Sequence, residues 1–318
     1  MSPAPAVGYR GWGACWLPKC SQRSHASFQT LRSEPGIRRI DAKLASSQQH
    51  KGDLVPRKIQ RYGWKPSLPD HRRRVADTSG ITVLPEVDPR NELPPIFDQG
   101  QLGSCTANAT AAAFQYDGML DGKDPGPLAR LWIYWQERSL EGTLIQGDCG
   151  AEGGDAFKVA TNIGIPPETD WPYDIATFNP PAPPAAATAD EGHYKLTKPY
   201  ATPPQSQLMF QQALSNRQTI AFGFTAYESF ESSAVASSGI VPMPGQGEQV
   251  VGGHEVLLVG YLKAEPLYGL VRNSWGSKQT DGTAWGVDGD GYFLMPWSYI
   301  LSSSLAGDWT TIQRPIGQ

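Results

Sequence analysis

Gln99-Gly-Gln-Leu-Gly-Ser-Cys105 leads without a break into Thr106-Ala-Asn-Ala-Thr-Ala-Ala-Ala-Phe-Gln-Tyr-Asp-Gly-Met-Leu120. The second part predicts a helix over 104–120. Ser104 is a good cap residue, and the alanines favour a helix packed closely on all sides. Cys105 then stands in the first turn, where the positive end of the helix favours thiolate over thiol. Gly103 and Ser104 let the backbone turn sharply and leave the sulfur accessible. A small buried residue opening a core helix would read the same way, so Cys105 has to find partners before it counts as a nucleophile.

A thiol nucleophile needs a base. The five histidines are His25, His50, His71, His193 and His254. The first three lie in a basic arm or its lead-in. His254 lies in Val250-Val-Gly-Gly-His-Glu-Val-Leu-Leu-Val-Gly-Tyr261, at the mouth of a predicted strand, after two glycines that leave room for a substrate backbone. It does not open a zinc-protease H-E-x-x-H, because Leu258 occupies the second histidine's place. The next strand signal, Leu270-Val-Arg-Asn-Ser-Trp-Gly276, supplies Asn273, whose side-chain oxygen would fix the imidazole tautomer under the cover of Trp275. Gln99, six residues before Cys105, would join the Cys105 N–H in holding a developing oxyanion.

These four separated motifs, in this order, resemble the papain family of cysteine peptidases, and the Cys-to-His spacing of 254 − 105 = 149 residues fits it. Arg61-Tyr-Gly-Trp, Leu131-Trp-Ile-Tyr-Trp and Trp171-Pro-Tyr-Asp resemble a bacterial branch that includes xylellain. The resemblance implies an α+β, two-lobed fold. A helical left lobe (about 96–190) would face a β-rich, barrel-like right lobe (about 191–318), with the cleft between them. It would put Cys105 on the left wall and His254 with Asn273 on the right. It implies hydrolysis of polypeptides by a monomer with no cofactor, no metal, no nucleic acid and no membrane span. Gly150 and Ala151 map onto the family's backbone edge for an extended substrate. Gly253 and Trp275 complete the expected substrate contacts. Because Gly253 carries no side chain, an acidic gate on that wall is not expected. Leu102 and Thr106 depart from the family's Cys and Trp at those places, so the usual disulfide is absent and Cys149 has no obvious partner. A silent papain-fold binding protein, or a transpeptidase using the same residues, would carry similar motifs; the first usually loses the nucleophile or the base, and neither is lost here.

The rest of the chain bounds the problem. The 318 residues hold 39% apolar and 18% charged residues, enough for a large core, and 34 Gly with 28 Pro predict many loops. The net charge of −4 hides an asymmetry: residues 1–74 carry 15 Lys and Arg against 4 Asp and Glu, leaving 12 against 27 in the remainder. Residues 1–60 read as a basic, irregular extension, a candidate pro- or lid segment drawn to an acidic body, before a peptidase domain over 61–318. Arg61 to Pro95 reads as extended, wrapping a surface. No secretory signal or membrane helix is legible, which gives a cytoplasmic default with non-classical export open. Cys15 and Cys20 are close enough to pair, and with His25 they lack a clear fourth zinc ligand. Asp288 and Asp290 read as a β-turn, not a calcium loop. Asn108-Ala-Thr110 fits the glycosylation pattern but falls on the central helix. Further helices are expected over 128–140 and 154–163, a Pro/Ala linker over 175–190, and strands at Ile220-Ala-Phe-Gly-Phe224, 255–261, 269–271 and 291–295.

Overall fold

The computed structural model describes residues 62–68, 73–178, 182–278 and 284–316. The basic extension, with Cys15, Cys20, His25 and His50, lies outside the described residues, as does His71. The described chain runs β1 (Trp64–Lys65), α1 (Cys105–Leu120), α2 (Arg130–Leu140), β2 (Ala151–Glu152), α3 (Asp155–Asn162), α4 (Ala185–Ala189), β3 (Tyr200–Ala201), α5 (Gln207–Ser215), β4 (Ile220–Tyr227), α6 (Ser233–Ser238), β5 (Val250–Gly260), β6 (Tyr268–Arg272), β7 (Tyr292–Pro296), α7 (Trp297–Ile300) and β8 (Ala306–Ile312). The α+β, two-lobed architecture is as the sequence implies.

The helical lobe is built around α1, whose residues 105–118 are all buried. Alanine and threonine side chains let α2 and α3 approach it closely. Phe114 of α1 meets Phe157 of α3 edge to face, centroids 5.2 Å apart. The expected cap differs. The Ser104 side chain makes no capping bond. Its hydroxyl pairs with Tyr173 at 2.6 Å and accepts from Asn108 at 3.0 Å. Asn108 also accepts from Arg130 at 2.8 Å and is buried, which removes it as a glycan site.

The second lobe is a six-stranded antiparallel sheet in the order β3-β8-β4-β5-β6-β7. Its outer core holds Phe222, Phe224, Phe230 and Phe293. The alternation in β4 predicted a half-buried strand, yet Ile220–Phe224 is buried on both faces. Ala221 belongs to the core shared with the helical lobe, and Gly223 is covered by Trp64. β5 begins at Val250, so His254 lies within a strand and not at its mouth, because β4 pairs with it from Ile220↔Leu258 through Thr225↔Gly253. The 175–190 segment is less irregular than expected, containing a turn of 3-10 helix over Ile175–Thr177 and α4. The Asp288 and Asp290 turn is held by Arg90, which ion-pairs with both.

The lead-in departs most from expectation. Tyr62–Lys65 does not wrap a surface. It runs through the cleft between the lobes, with β1 parallel to β2: Trp64 pairs with Ala151, Lys65 with Glu152, and Ala151 N–H donates to Gly63 O at 2.8 Å. Among the described residues no helix is long and apolar enough to cross a membrane.

Candidate active site

Cys105 opens α1 on the helical side of the cleft and is fully buried. His254 comes from β5 and Asn273 follows the end of β6, so the adjacent strands hold them together. His254 Nε2 and Asn273 Oδ1 are 2.8 Å apart, an arrangement in which Nε2–H donates and Nδ1 keeps its lone pair. Trp275 stacks on the imidazole with ring centroids 5.0 Å apart and planes 28° apart. Phe224 and Phe230 close the other sides. The expected cover over the His–Asn bond is thus an aromatic box.

Gln99 is fixed from the opposite lobe. Gln99 N–H donates to Ser274 O at 2.8 Å, Gly276 N–H donates to Phe97 O at 2.9 Å, and Ser274 Oγ donates to Gln99 Oε1 at 2.7 Å. That last bond settles which end of the amide is the donor. Gln99 Nε2 donates to Leu102 O at 3.0 Å and has a second hydrogen for another acceptor. Ser274 was legible only as part of a motif; its role in orienting Gln99 comes from the fold.

Two further groups were missed by sequence reasoning. Asp148 accepts from Gly103 N–H at 2.9 Å and from the Tyr134 hydroxyl, which accepts in turn from Gly150 N–H at 2.9 Å. This ties the loop carrying Gly150 and Ala151 to the turn that presents Cys105, where the family would place a disulfide. Cys149 beside it is a free thiol. Thr106 Oγ1 donates to the buried Glu137 carboxylate at 2.9 Å, so the departure at Thr106 is matched by a polar partner on α2.

The electrostatics belong to a filled cleft. Burial pushes the Cys105 thiol up to about 12; backbone hydrogen bonding from Glu255 and Gly63 offsets part of this, while the carboxyls of Glu255 and Glu137 add to it. Burial pushes His254 down to about 4 against the opposing Asn273 bond. Thiol and imidazole are therefore both neutral here, although the helix position alone predicts a thiolate. The lead-in supplies part of that burial. Tyr62 packs against His254 and Trp275, centroids 5.8 and 6.2 Å away, and its hydroxyl donates to Glu231 at 2.5 Å. A Cβ on Gly63 would stand 1.7 Å from Gly103 O, and one on Gly253 would stand 2.3 Å from Trp64 O. Gly150, Ala151 and Gly253, expected to meet substrate backbone, meet residues 63 and 64 instead.

The acidic side of the cleft also differs from expectation. Gly253 brings no side chain, but Glu255, two residues on and on the same face of β5, and Asp308 of β8 bring two carboxylates to the indole of Trp64. Trp64 Nε1 donates to Asp308 Oδ2 at 3.0 Å.

The model of the papain family cysteine proteases matches residues 84–299. A peptidase C1-like protein of Acanthamoeba polyphaga mimivirus is 36% identical over 226 residues, 69% of each chain. Mouse procathepsin L is 28% identical over 212 residues, 61% of this chain and 55% of that one. Among solved structures, xylellain, a cysteine protease from Xylella fastidiosa, is 34% identical with a TM-score of 0.67, covering 82% of this chain and 99% of that one. Procathepsin L 3 of Tenebrio molitor, 18% identical with a TM-score of 0.60, shares the fold.

Proposed function

Because the chain belongs to the papain family of cysteine proteases, we propose that it is an endopeptidase using Cys105 as nucleophile and His254 as base, held silent by Tyr62–Lys65. The observation that carries this is the buried His254–Asn273 bond under Trp275, set one residue from the Glu255 backbone that approaches the Cys105 sulfur. With the cleft emptied of residues 62–65, water returns and the proton passes from Sγ to His254 Nδ1. The thiolate then adds to the scissile carbonyl carbon. Gln99 Nε2–H and the Cys105 N–H hold the oxygen as it gains charge. Collapse expels the amine, which takes the proton from His254 and leaves a thioester. Water, giving its proton to His254, opens the thioester to a carboxylate and restores the thiolate.

The lead-in is not itself a substrate as it lies. Its Gly63 carbonyl oxygen is taken by Ala151 N–H, so that carbonyl is turned to the cleft wall, while the backbone hydrogen bonding that Gly63 offers the sulfur comes from a donor and not from an electrophilic carbon.

A papain-type epoxide, followed by peptide mapping, tests the nucleophile on protein whose lead-in has been displaced. Labelling falls on Cys105 and disappears in Cys105→Ala, while Cys149→Ala retains both labelling and hydrolysis. Loss of activity in a folded Cys149→Ala protein would overturn the assignment. Gln99→Ala lowers kcat by roughly 10²–10³; an unchanged kcat would take the oxyanion role away from Gln99.

A further inference from the structure

The indole of Trp64 fills a pocket whose floor has almost no side chains. Gly223 lies across from Glu255 on β5 and from Gly307 on β8. A Cβ on Gly223 would stand 1.9 Å from the Trp64 ring, and one on Gly253 or Gly153 would stand 2.8 or 3.1 Å from it. Glycines at these places leave a flat slot for a planar group. Two carboxylates edge it. Asp308 is a non-glycine residue at φ 58°, next to the register shift between β4 and β8. That backbone is unfavourable for a side-chain-bearing residue, and it aims the carboxylate at the slot. Glu255 is 1% exposed, and neither of its carboxylate oxygens has a hydrogen-bond partner among the described residues. A Cβ on Gly153 would stand 2.4 Å from Glu255 Oε2 and 3.1 Å from Trp64 Nε1, so carboxylate and indole face one small volume.

The lead-in answers this acidity only in part. Trp64 has one N–H and gives it to Asp308. Arg73, from the same segment, pairs with Asp308 at 3.4 Å. Glu255 has no hydrogen-bond donor among the described residues even while both are present. A buried carboxylate without a partner is costly, and a ligand that supplies charge and donors removes that cost. A guanidinium is planar, permanently charged and carries five N–H donors, which suits a flat slot with carboxylates on two sides better than the point charge of a lysine does.

We propose that the Trp64 slot is the side-chain pocket that sets substrate preference, and that Glu255 and Asp308 make it select arginine. The inference rests on the peptidase reading, and it names the substrate class. Gly63 passes the nucleophile and Trp64 adjoins it, so in a substrate that runs opposite to β1, antiparallel to Ala151–Glu152, the side chain taken is that of the residue before the scissile one.

The test uses the full-length protein carrying Trp64→Ala, which empties the slot, and Gly63→Ala as a second route to an open cleft. Acetyl-X-Gly-aminocoumarin substrates compare X as arginine, its neutral isostere citrulline, leucine and phenylalanine. Arginine should exceed citrulline in kcat/KM by roughly 10- to 100-fold, the size of one charge-assisted hydrogen bond. Glu255→Gln, close to isosteric, should shrink that ratio, because the ratio compares two substrates on one protein; Asp308→Asn is the second such variant. Equal rates for arginine and citrulline, or a ratio unmoved by both variants, overturn the pocket assignment and leave the peptidase reading standing. No turnover of any peptide together with no epoxide labelling of Cys105 overturns the peptidase reading, and this inference with it.

Discussion

A thiolate–imidazolium pair needs water or a counter-charge near each partner, and Cys105 and His254 have neither while Tyr62 and Gly63 lie on them. The helix N-terminus favours the thiolate by a modest amount, since its influence is felt only within the first turn. Full burial outweighs it. A third buried group on the same wall gives a measurable consequence. Burial holds the Glu137 carboxyl well above its ordinary value of 4.5, against the Thr106 hydrogen bond, and Asp155 and Glu141 push it the same way. A carboxyl raised on folding contributes stability that is fully present below its unfolded value, near pH 4.5. That contribution is lost as the pH climbs through the folded value. Glu137→Gln keeps the acceptor for Thr106 and removes the titration. It should therefore melt with the wild type at pH 4.5 and gain on it as pH rises, by roughly 1–3 kcal/mol at pH 8. Parallel melting temperatures across pH 4.5–8 would show that Glu137 does not titrate with folding.

At the scale of elements, β1 is a two-residue strand that fills the cleft. Its hold comes from three kinds of contact: the parallel pairing with Ala151 and Glu152, the Trp64 indole in its slot, and the Lys65–Glu141 ion pair. The pairing requires Gly63, because any side chain there meets the Gly103 carbonyl. Gly63→Ala should displace β1 without touching the catalytic wall, since Gly103 belongs to the packed turn before α1 and cannot retreat. The expected outcome is faster epoxide labelling of Cys105 and a higher initial rate on a small peptide, with little change in the midpoint of global unfolding. Unchanged labelling kinetics would mean that β1 does not gate the thiol. The Asp148 link between Gly103 and Tyr134 is the counterpart that keeps the wall in place when β1 leaves.

For the whole molecule, the proposed silencing divides between two parts of the N-terminal region, and the two can be told apart. Charge alone points to residues 1–60, drawn as a basic arm to an acidic body. The described fold instead puts Tyr62–Lys65 on the nucleophile and Arg73 on Asp308. Two truncations separate the contributions. Removing residues 1–60 leaves β1 seated, whereas removing 1–67 takes away Tyr62, Gly63 and Trp64 together. We expect the longer truncation to raise kcat/KM on a small peptide well above the shorter one. Moderate salt should matter more for the full-length protein, which carries the basic arm, than for the 1–60 truncation, whose remaining contacts are mostly buried. Equal activation by both truncations would return the inhibitory role to the arm.

The amino-acid sequence by itself determined the two lobes and the four motifs, because each is local. Small residues behind Cys105 specify a helix buried all round. Alternating and apolar runs around His254 and Asn273 specify neighbouring strands, and the order Gln99, Cys105, His254, Asn273 is legible along the chain. It did not determine what Ser274, Asp148, Glu255 and Asp308 do. Each acts across the cleft or across the sheet on a residue far away in the chain. Gly253 was read as a wall free of acid because that position carries no side chain; the carboxylates arrive from Glu255, two residues on along the same face of β5, and from Asp308 on β8. Likewise the lead-in read as surface wrapping, since four residues of Tyr-Gly-Trp-Lys have no periodicity. Only the folded molecule decided that they fill the cleft, because the slot for Trp64 exists once three strands bring Glu255, Gly223 and Gly307 side by side.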